Sequence, residues 1–142
     1  MLKIWTDGSC LGNPGNGGWA FVMTDGGEVS GQSGGVAGTT NNRMELTAVI
    51  SALSGIKTGG EIEIFTDSQY VKNGVEIWMR NWKINGWRTA DRKPVSNQDL
   101  WRQLDGLTPR FKIRWNWTRG HSDDEMNNRC DEMARAAARS VS

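Results

Sequence analysis

The chain has 142 residues, 23% of them charged and 37% apolar, with a formal net charge of +1. That length fits one domain able to bury a core without disulfides or structural zinc. The apolar runs are too short to span a membrane, and no basic stretch followed by an apolar run precedes the first strand-like segment, so a cytoplasmic protein without a secretory leader is expected.

Lys3 to Thr6 reads as a strand that enters a turn-forming stretch, Asp7 to Gly18, holding five glycines. Trp19 to Thr24 reads as a second strand, Asp25-Gly26-Gly27 as a hairpin turn and Glu28 to Ser33 as the returning strand. The first three strands should therefore be antiparallel neighbours. After the small, polar stretch Gly34 to Asn41 the period changes. Leu46, Val49, Ile50 and Leu53 recur at i, i+3, i+4 and i+7, one face of a helix closed by Gly55 and Gly59-Gly60. Glu61 to Phe65 alternates as a strand does. Strand, helix and strand in succession suggest a crossover and a parallel pair.

Beyond Asp67, helices are expected with breaks at Gly74, Asn85-Gly86 and Pro94. Phe111 to Trp117 alternates as a fifth strand. Asp124 to Arg139, alanine-rich and free of Gly and Pro, should be helical. The expected class is α/β: a five-stranded mixed sheet flanked by helices, in a single domain over residues 1–142. Cys10 and Cys130 lack zinc-site spacing and are expected to be reduced, structural thiols.

Four acids come from four of these segments. Asp7 lies where the first strand gives way to its loop, and Asp67 lies at the corresponding end of the fourth strand. Parallel neighbours would bring those ends together, at the sheet edge where ligand sites form. Glu45 falls in the first turn of the helix that Thr39 to Asn42 can cap, and Asp131 lies on the last helix with Asn127 at i−4. Each acid alone has an ordinary explanation as a cap, a favourable charge at a helix N-terminus or a solvated helical side chain. Spacing alone leaves their convergence open. If they converge, they repel one another unless cations sit among them, and an all-carboxylate set suits Mg²⁺ or Mn²⁺. A pair of such ions can activate water on one side of a phosphodiester and stabilise the leaving oxygen on the other.

Three segments carry a family resemblance: Thr6 to Gly15 (TDGSCLGNPG), Thr39 to Leu46 (TTNNRMEL) and Thr66 to Val71 (TDSQYV). It continues through Trp87 to Asp91, Lys93-Pro94-Val95, Asn97 and Asp99 to Trp101, and ends with Gly120-His121 and Asn128 to Glu132. The sequence resembles bacterial type-1 ribonuclease H over nearly its whole length. The resemblance implies the ribonuclease H-like fold and an endonuclease that cuts the RNA strand of RNA–DNA hybrids, leaving 3′-hydroxyl and 5′-phosphate ends. It implies that Asp7, Glu45, Asp67 and Asp131 hold two Mg²⁺ ions, with Mn²⁺ able to substitute. Asp7 would bridge the two ions. His121, the sole histidine, would assist proton transfer or product departure. The loop Ser122 to Glu125 is more acidic than the family pattern, a feature suited to attracting metal or slowing product release.

By the same resemblance Cys10, Asn13, Asn41 and Gln69 would line the minor groove, where 2′-hydroxyls mark an RNA strand. Thr40 and Asn97 would grip a phosphate of the DNA strand. Between Trp78 and Asn97 lie five basic residues (Arg80, Lys83, Arg88, Arg92, Lys93) and one acid, Asp91. Among them Lys83 and Arg88 are expected phosphate contacts, which position a substrate without reading its sequence. Trp78, Trp82 and Trp87 in the same lobe are more simply core residues. The resemblance thus implies an RNA–DNA hybrid duplex as partner, and the protein is expected to act as a monomer with little sequence preference. Two rivals share the fold logic: a two-metal DNA nuclease or strand-transfer domain, and a catalytically silent hybrid-binding module.

Overall fold

The computed structural model describes residues 1–57, 59–89, 91–118 and 124–141. Three strands open the chain, β1 (Leu2–Leu11), β2 (Gly15–Thr24) and β3 (Val29–Thr39), followed by helix α1 (Asn41–Ser54) and strand β4 (Glu61–Thr66). Then come α2 (Gln69–Asn73), a π-helical turn (Gly74–Trp78), α3 (Met79–Asn85), α4 (Gln98–Leu107), a short 3₁₀ turn (Thr108–Arg110), β5 (Lys112–Trp117) and α5 (Glu125–Arg139). The strands form one sheet in the order β3-β2-β1-β4-β5. The β1–β2 and β2–β3 pairs are antiparallel, and the β1–β4 and β4–β5 pairs are parallel. This is the expected five-stranded mixed sheet.

Alternation along β2 assigns the two faces. A Cβ on Gly17 would meet Met44 of α1, whereas one on the next residue, Gly18, would lie 2.1 Å from the Ala134 carbonyl oxygen of α5. Helix α5 thus closes one face over β1, β2 and β3. The other face carries the main core, where Ile4, Ile62 and Ile64 pack with Leu46, Val49 and Leu53 of α1 and with Trp101 and Leu104 of α4.

Three segments differ from the sequence reading. The glycine-rich stretch after Asp7 is strand through Leu11 and again from Gly15, because glycines at 8, 17 and 18 let helices lie close on both faces. The polar stretch from Gly34 continues β3 to Thr39, paired to β2 except at an irregularity between Val36 and Thr39. Gly74 does not break its helix. The chain stays helical from Gln69 to Asn85, and Gly74 is buried beneath Trp101.

The expected tryptophan core is present. Trp82 packs against Trp78, Trp87 and Trp101 with ring centroids 5.8, 6.1 and 5.5 Å away. A methyl on Gly74 would fall 2.0 Å from Cη2 of Trp101. Gly74→Ala should therefore cost ~1–3 kcal/mol by overpacking, read as a lowered urea midpoint with an unchanged slope.

A carboxylate cluster at the sheet edge

The β1–β4 ladder ends at the pair Trp5 and Phe65. Asp7 and Asp67 each stand two residues further on, so the parallel register brings the two acids together as expected. Asp7 itself is not at a strand end. It lies inside β1, paired to Ala20 of β2, because β1 continues along β2 after it has parted from β4.

Glu45 arrives from α1. Thr40 caps that helix by accepting from the Arg43 backbone N–H at 3.3 Å, which makes Asn41 the first helical residue. Glu45 is consequently in the second turn, not the first, and the first turn carries no acid. A favourable charge at the helix N-terminus therefore does not account for it. It reaches Asp7 because α1 crosses β1 at Gly8, where a Cβ would sit 2.5 Å from the Glu45 backbone nitrogen.

One carboxylate oxygen from each of Asp7, Glu45 and Asp67 lies within 4.8 Å of the others. Asp7 and Glu45 are buried and Asp67 is half-buried. Burial, the Asp67 charge and the Asp131 charge push the Asp7 carboxyl up to about 8, against a partial offset from the Gly8 N–H, which donates to Asp7 Oδ1 at 2.9 Å. Burial and then the charges of Asp7 and Asp67 hold Glu45 well above the usual carboxylate range. Asp67 is raised as well, chiefly by burial. Asp131 approaches from α5, close enough to bear on both aspartates. Its carboxylate is half-exposed and pairs with Arg135 at 3.2 Å, one turn along the helix.

Among the described residues Asp7, Glu45 and Asp67 form no ion pair that would offset their charge. Glu45 Oε2 is buried with no hydrogen-bond partner among the described residues. Such an oxygen costs free energy unless something coordinates it. An all-oxygen set of mutually repelling carboxylates with one orphaned oxygen fits a hard divalent cation.

The expected substrate contacts flank this edge. Asn13, exposed at the β1–β2 hairpin tip, accepts from the Asn41 backbone N–H at 3.2 Å and so joins the hairpin to the start of α1. Cys10 is half-buried, its thiol directed at the Thr39 carbonyl oxygen at 3.4 Å. Gln69 is exposed at the first position of α2. Thr40 and Asn97 are linked through Arg43, whose guanidinium donates to Asn97 Oδ1 at 3.2 Å and clasps both carboxylate oxygens of Asp99. Asn97 takes a left-handed backbone, φ 60, and its amide donates to the Tyr70 hydroxyl at 3.0 Å instead of capping α4.

Lys83 and Arg88 are exposed in the basic lobe, but Lys83 Nζ is engaged by Asp105 at 3.2 Å. His121 and Asp123 lie outside the described residues. The sequence reading missed the roles of Gly8, Arg43 and Tyr70. Arg135 could have been found from its i+4 spacing to Asp131, whereas the contacts of the Tyr70 hydroxyl span 27 residues or more and leave no local signal.

Comparison with known proteins agrees with this fold. The RNase H family model matches residues 1–139. A ribonuclease H of Paracoccus denitrificans is 56% identical over 140 residues, covering 95% of this chain and 90% of the relative. A ribonuclease H of Escherichia coli is 51% identical over 138 residues, covering 97% and 89%. Among solved structures, LC9-RNase H1, a type 1 RNase H with the type 2 active-site motif, superposes with a TM-score of 0.83 at 28% identity, over 96% of this chain and 71% of that one. LC11-RNase H1, solved in complex with an RNA/DNA hybrid, shares the fold with a TM-score of 0.68 at 24% identity, over 98% and 97%.

Proposed function

The chain belongs to the RNase H family, and from that premise we propose that it is an endonuclease hydrolysing the RNA strand of RNA–DNA hybrids, with two Mg²⁺ ions held by Asp7, Glu45, Asp67 and Asp131. The products are a 3′-hydroxyl and a 5′-phosphate, and Mn²⁺ substitutes for Mg²⁺. The observation that carries the reading is the Asp7–Glu45–Asp67 cluster, drawn within 4.8 Å, in which Glu45 keeps one buried oxygen unsatisfied. Relatives at 51–56% identity, each a ribonuclease H, support the substrate class.

Asp7, Glu45, Asp67 and Asp131 would hold the ions, which would supply Lewis-acid activation of water and charge neutralisation at a phosphodiester. The protein's own part is placement. Asp7 is held rigidly inside β1 by pairing with β2 and by the Gly8 N–H. Glu45 is held by the close crossing of α1 over Gly8. Asp131, half-exposed and paired with Arg135, is freer to adjust. His121, which lies outside the described residues, would by the family resemblance serve proton transfer or product departure.

Asn13 and Asn41, already joined, form one wall of the substrate groove with Cys10 and Gln69, set to meet 2′-hydroxyls. Thr40 and Asn97, locked through Arg43, take a phosphate of the DNA strand. In the basic lobe Arg88 contributes more than Lys83, which must leave Asp105 to reach a phosphate. Arg88→Ala is expected to weaken hybrid binding uniformly across sequences and to lower the log–log salt slope by about 1. Lys83→Ala should change both less, in fluorescence-anisotropy titrations at several salt concentrations.

The protein is read as a cytoplasmic monomer with one catalytic domain over residues 1–142. Among the described residues no helix is long and apolar enough to cross a membrane. The deciding experiment is cleavage of an end-labelled hybrid with Mg²⁺, beside duplex RNA, duplex DNA and an Asp7→Asn control. Cutting of the hybrid's RNA alone, lost in the variant, is the expected result. Cutting of duplex DNA would favour a DNA nuclease, and binding without cutting in Mg²⁺ or Mn²⁺ would leave a hybrid-binding module.

A further inference from the structure

Three of the four carboxylates stand next to atoms gathered around one residue, Trp5. On β1, Asp7 follows Trp5 by two residues and shares its sheet face. Phe65, the partner of Trp5 in the last pair of the parallel ladder, precedes Asp67 by two residues. The Trp5 and Phe65 rings stack with centroids 4.8 Å apart and planes within 9° of parallel. On α5, Cys130 immediately precedes Asp131, and its fully buried thiol donates to the Trp5 carbonyl oxygen at 3.2 Å.

Backbone hydrogen bonds set the spacing of two strands but leave their twist adjustable, with natural pairs ranging over roughly 10–35°. Two residues beyond the last pair, about 6.6 Å along the strand, a twist change of about 10° moves one carboxylate past the other by about 1 Å. Functional constellations tolerate roughly 0.5 Å, and a misplacement of about 1 Å can cost about a hundredfold. Stacked rings across that last pair resist such a change, because twisting the strands slides one ring off the other.

We infer that Trp5 is a positioning residue for the metal centre. Its ring, against Phe65, sets the separation of Asp7 from Asp67. Its carbonyl, through Cys130, sets the seat of α5 and so of Asp131. The inference rests on the reading of these acids as metal ligands.

The test measures Mn²⁺ binding to the substrate-free protein by loss of the free-ion EPR signal, beside the Mg²⁺ dependence of cleavage and the hybrid KM. Phe65→Leu keeps an apolar side chain and removes the stack, whereas Trp5→Phe keeps a ring pair. Phe65→Leu should weaken Mn²⁺ at least about fivefold and raise the Mg²⁺ needed for half-maximal cleavage in parallel, with the hybrid KM within about twofold. Trp5→Phe should bind Mn²⁺ within about twofold of the parent protein. Cys130→Ala, which removes the carbonyl contact and leaves the ring stack in place, should weaken Mn²⁺ in the same direction and gives a second readout if Phe65→Leu does not fold.

Unchanged Mn²⁺ affinity in folded Phe65→Leu, or in Cys130→Ala, would reduce the contact concerned to packing and overturn its positioning role. Trp5→Phe as weak as Phe65→Leu would overturn the ring-pair account. If the parent protein shows no Mn²⁺ binding that Asp7→Asn abolishes, the metal reading fails first and takes the inference with it.

Discussion

Replacing Asp7 with Asn is expected to lower hybrid cleavage by at least about a thousandfold, equivalent to ~4 kcal/mol of transition-state stabilisation, while making the metal-free protein more stable. Asp7 is the acid through which the others are coupled: its carboxyl is raised by Asp67 and Asp131, and it in turn raises Glu45. An amide keeps its shape and the Gly8 contact but cannot ionise, so folding the variant no longer requires the uptake of a proton at this point. The gain should be about 1–3 kcal/mol in urea unfolding at neutral pH with chelator present, since a raised pKa is a stability statement. Added Mg²⁺ should raise the midpoint of the parent protein and leave that of the variant nearly unchanged. A variant that loses activity and stability together would mean that Asp7 is a structural residue.

The second large effect is a fall in metal-free stability as pH rises from about 4 to about 8. In the folded chain the Asp7 carboxyl titrates at about 8, against an ordinary value of 3.8. Between those values the folded protein keeps a proton that the unfolded chain has released. It therefore binds more protons than the unfolded state, and stability decreases with pH across that window. Raising a carboxyl's titration midpoint by one pH unit corresponds to about 1.4 kcal/mol, and relaxation around the acids reduces the sum to a few kcal/mol. Glu45 is displaced in the same direction and adds to the slope. Divalent cations compete with those protons, so Mg²⁺ should stabilise the protein far more at pH 8 than at pH 5.5 and flatten the profile. Denaturation at both pH values, with chelator and with Mg²⁺, measures this. A metal-free profile that rises between pH 5.5 and 8 would contradict the clustered, desolvated arrangement. At higher pH the Cys130 thiol, pushed up to about 12 by burial, adds a further loss once the unfolded chain's thiol ionises near 9.

Local pattern was enough for much of the fold. The alternation of Ile62 and Ile64 and the helical recurrence of Leu46, Val49 and Leu53 declare buried faces that depend only on chain geometry, and both appear where expected. Glycine misled the reading where its cause was tertiary. Gly74 resembles a helix breaker in sequence, yet it is a seat for Trp101, placed there by a contact across 27 residues. The glycines between Asp7 and Gly18 resemble a loop, yet several lie in strands that need bare backbone because α1 and α5 press on both faces.

The candidate site divides along the same line. Its residue types, and the preference of an all-carboxylate set for a hard divalent cation, follow from composition and elementary chemistry. Family motifs marked the four acids by resemblance. That Asp7, Glu45 and Asp67 meet within 4.8 Å depends on a parallel register and on α1 crossing at Gly8. The succession of strand, helix and strand suggested the parallel pair, but the crossing at Gly8 leaves no trace in local spacing, because convergence is a property of the packed sheet. The same holds for the altered acidity of Asp7, the engagement of Lys83 by Asp105 and the meeting of Phe65 and Cys130 at Trp5. A chain pattern specifies which faces must be buried. Only the assembled layers set which polar groups are buried with them, and those groups carry the chemistry.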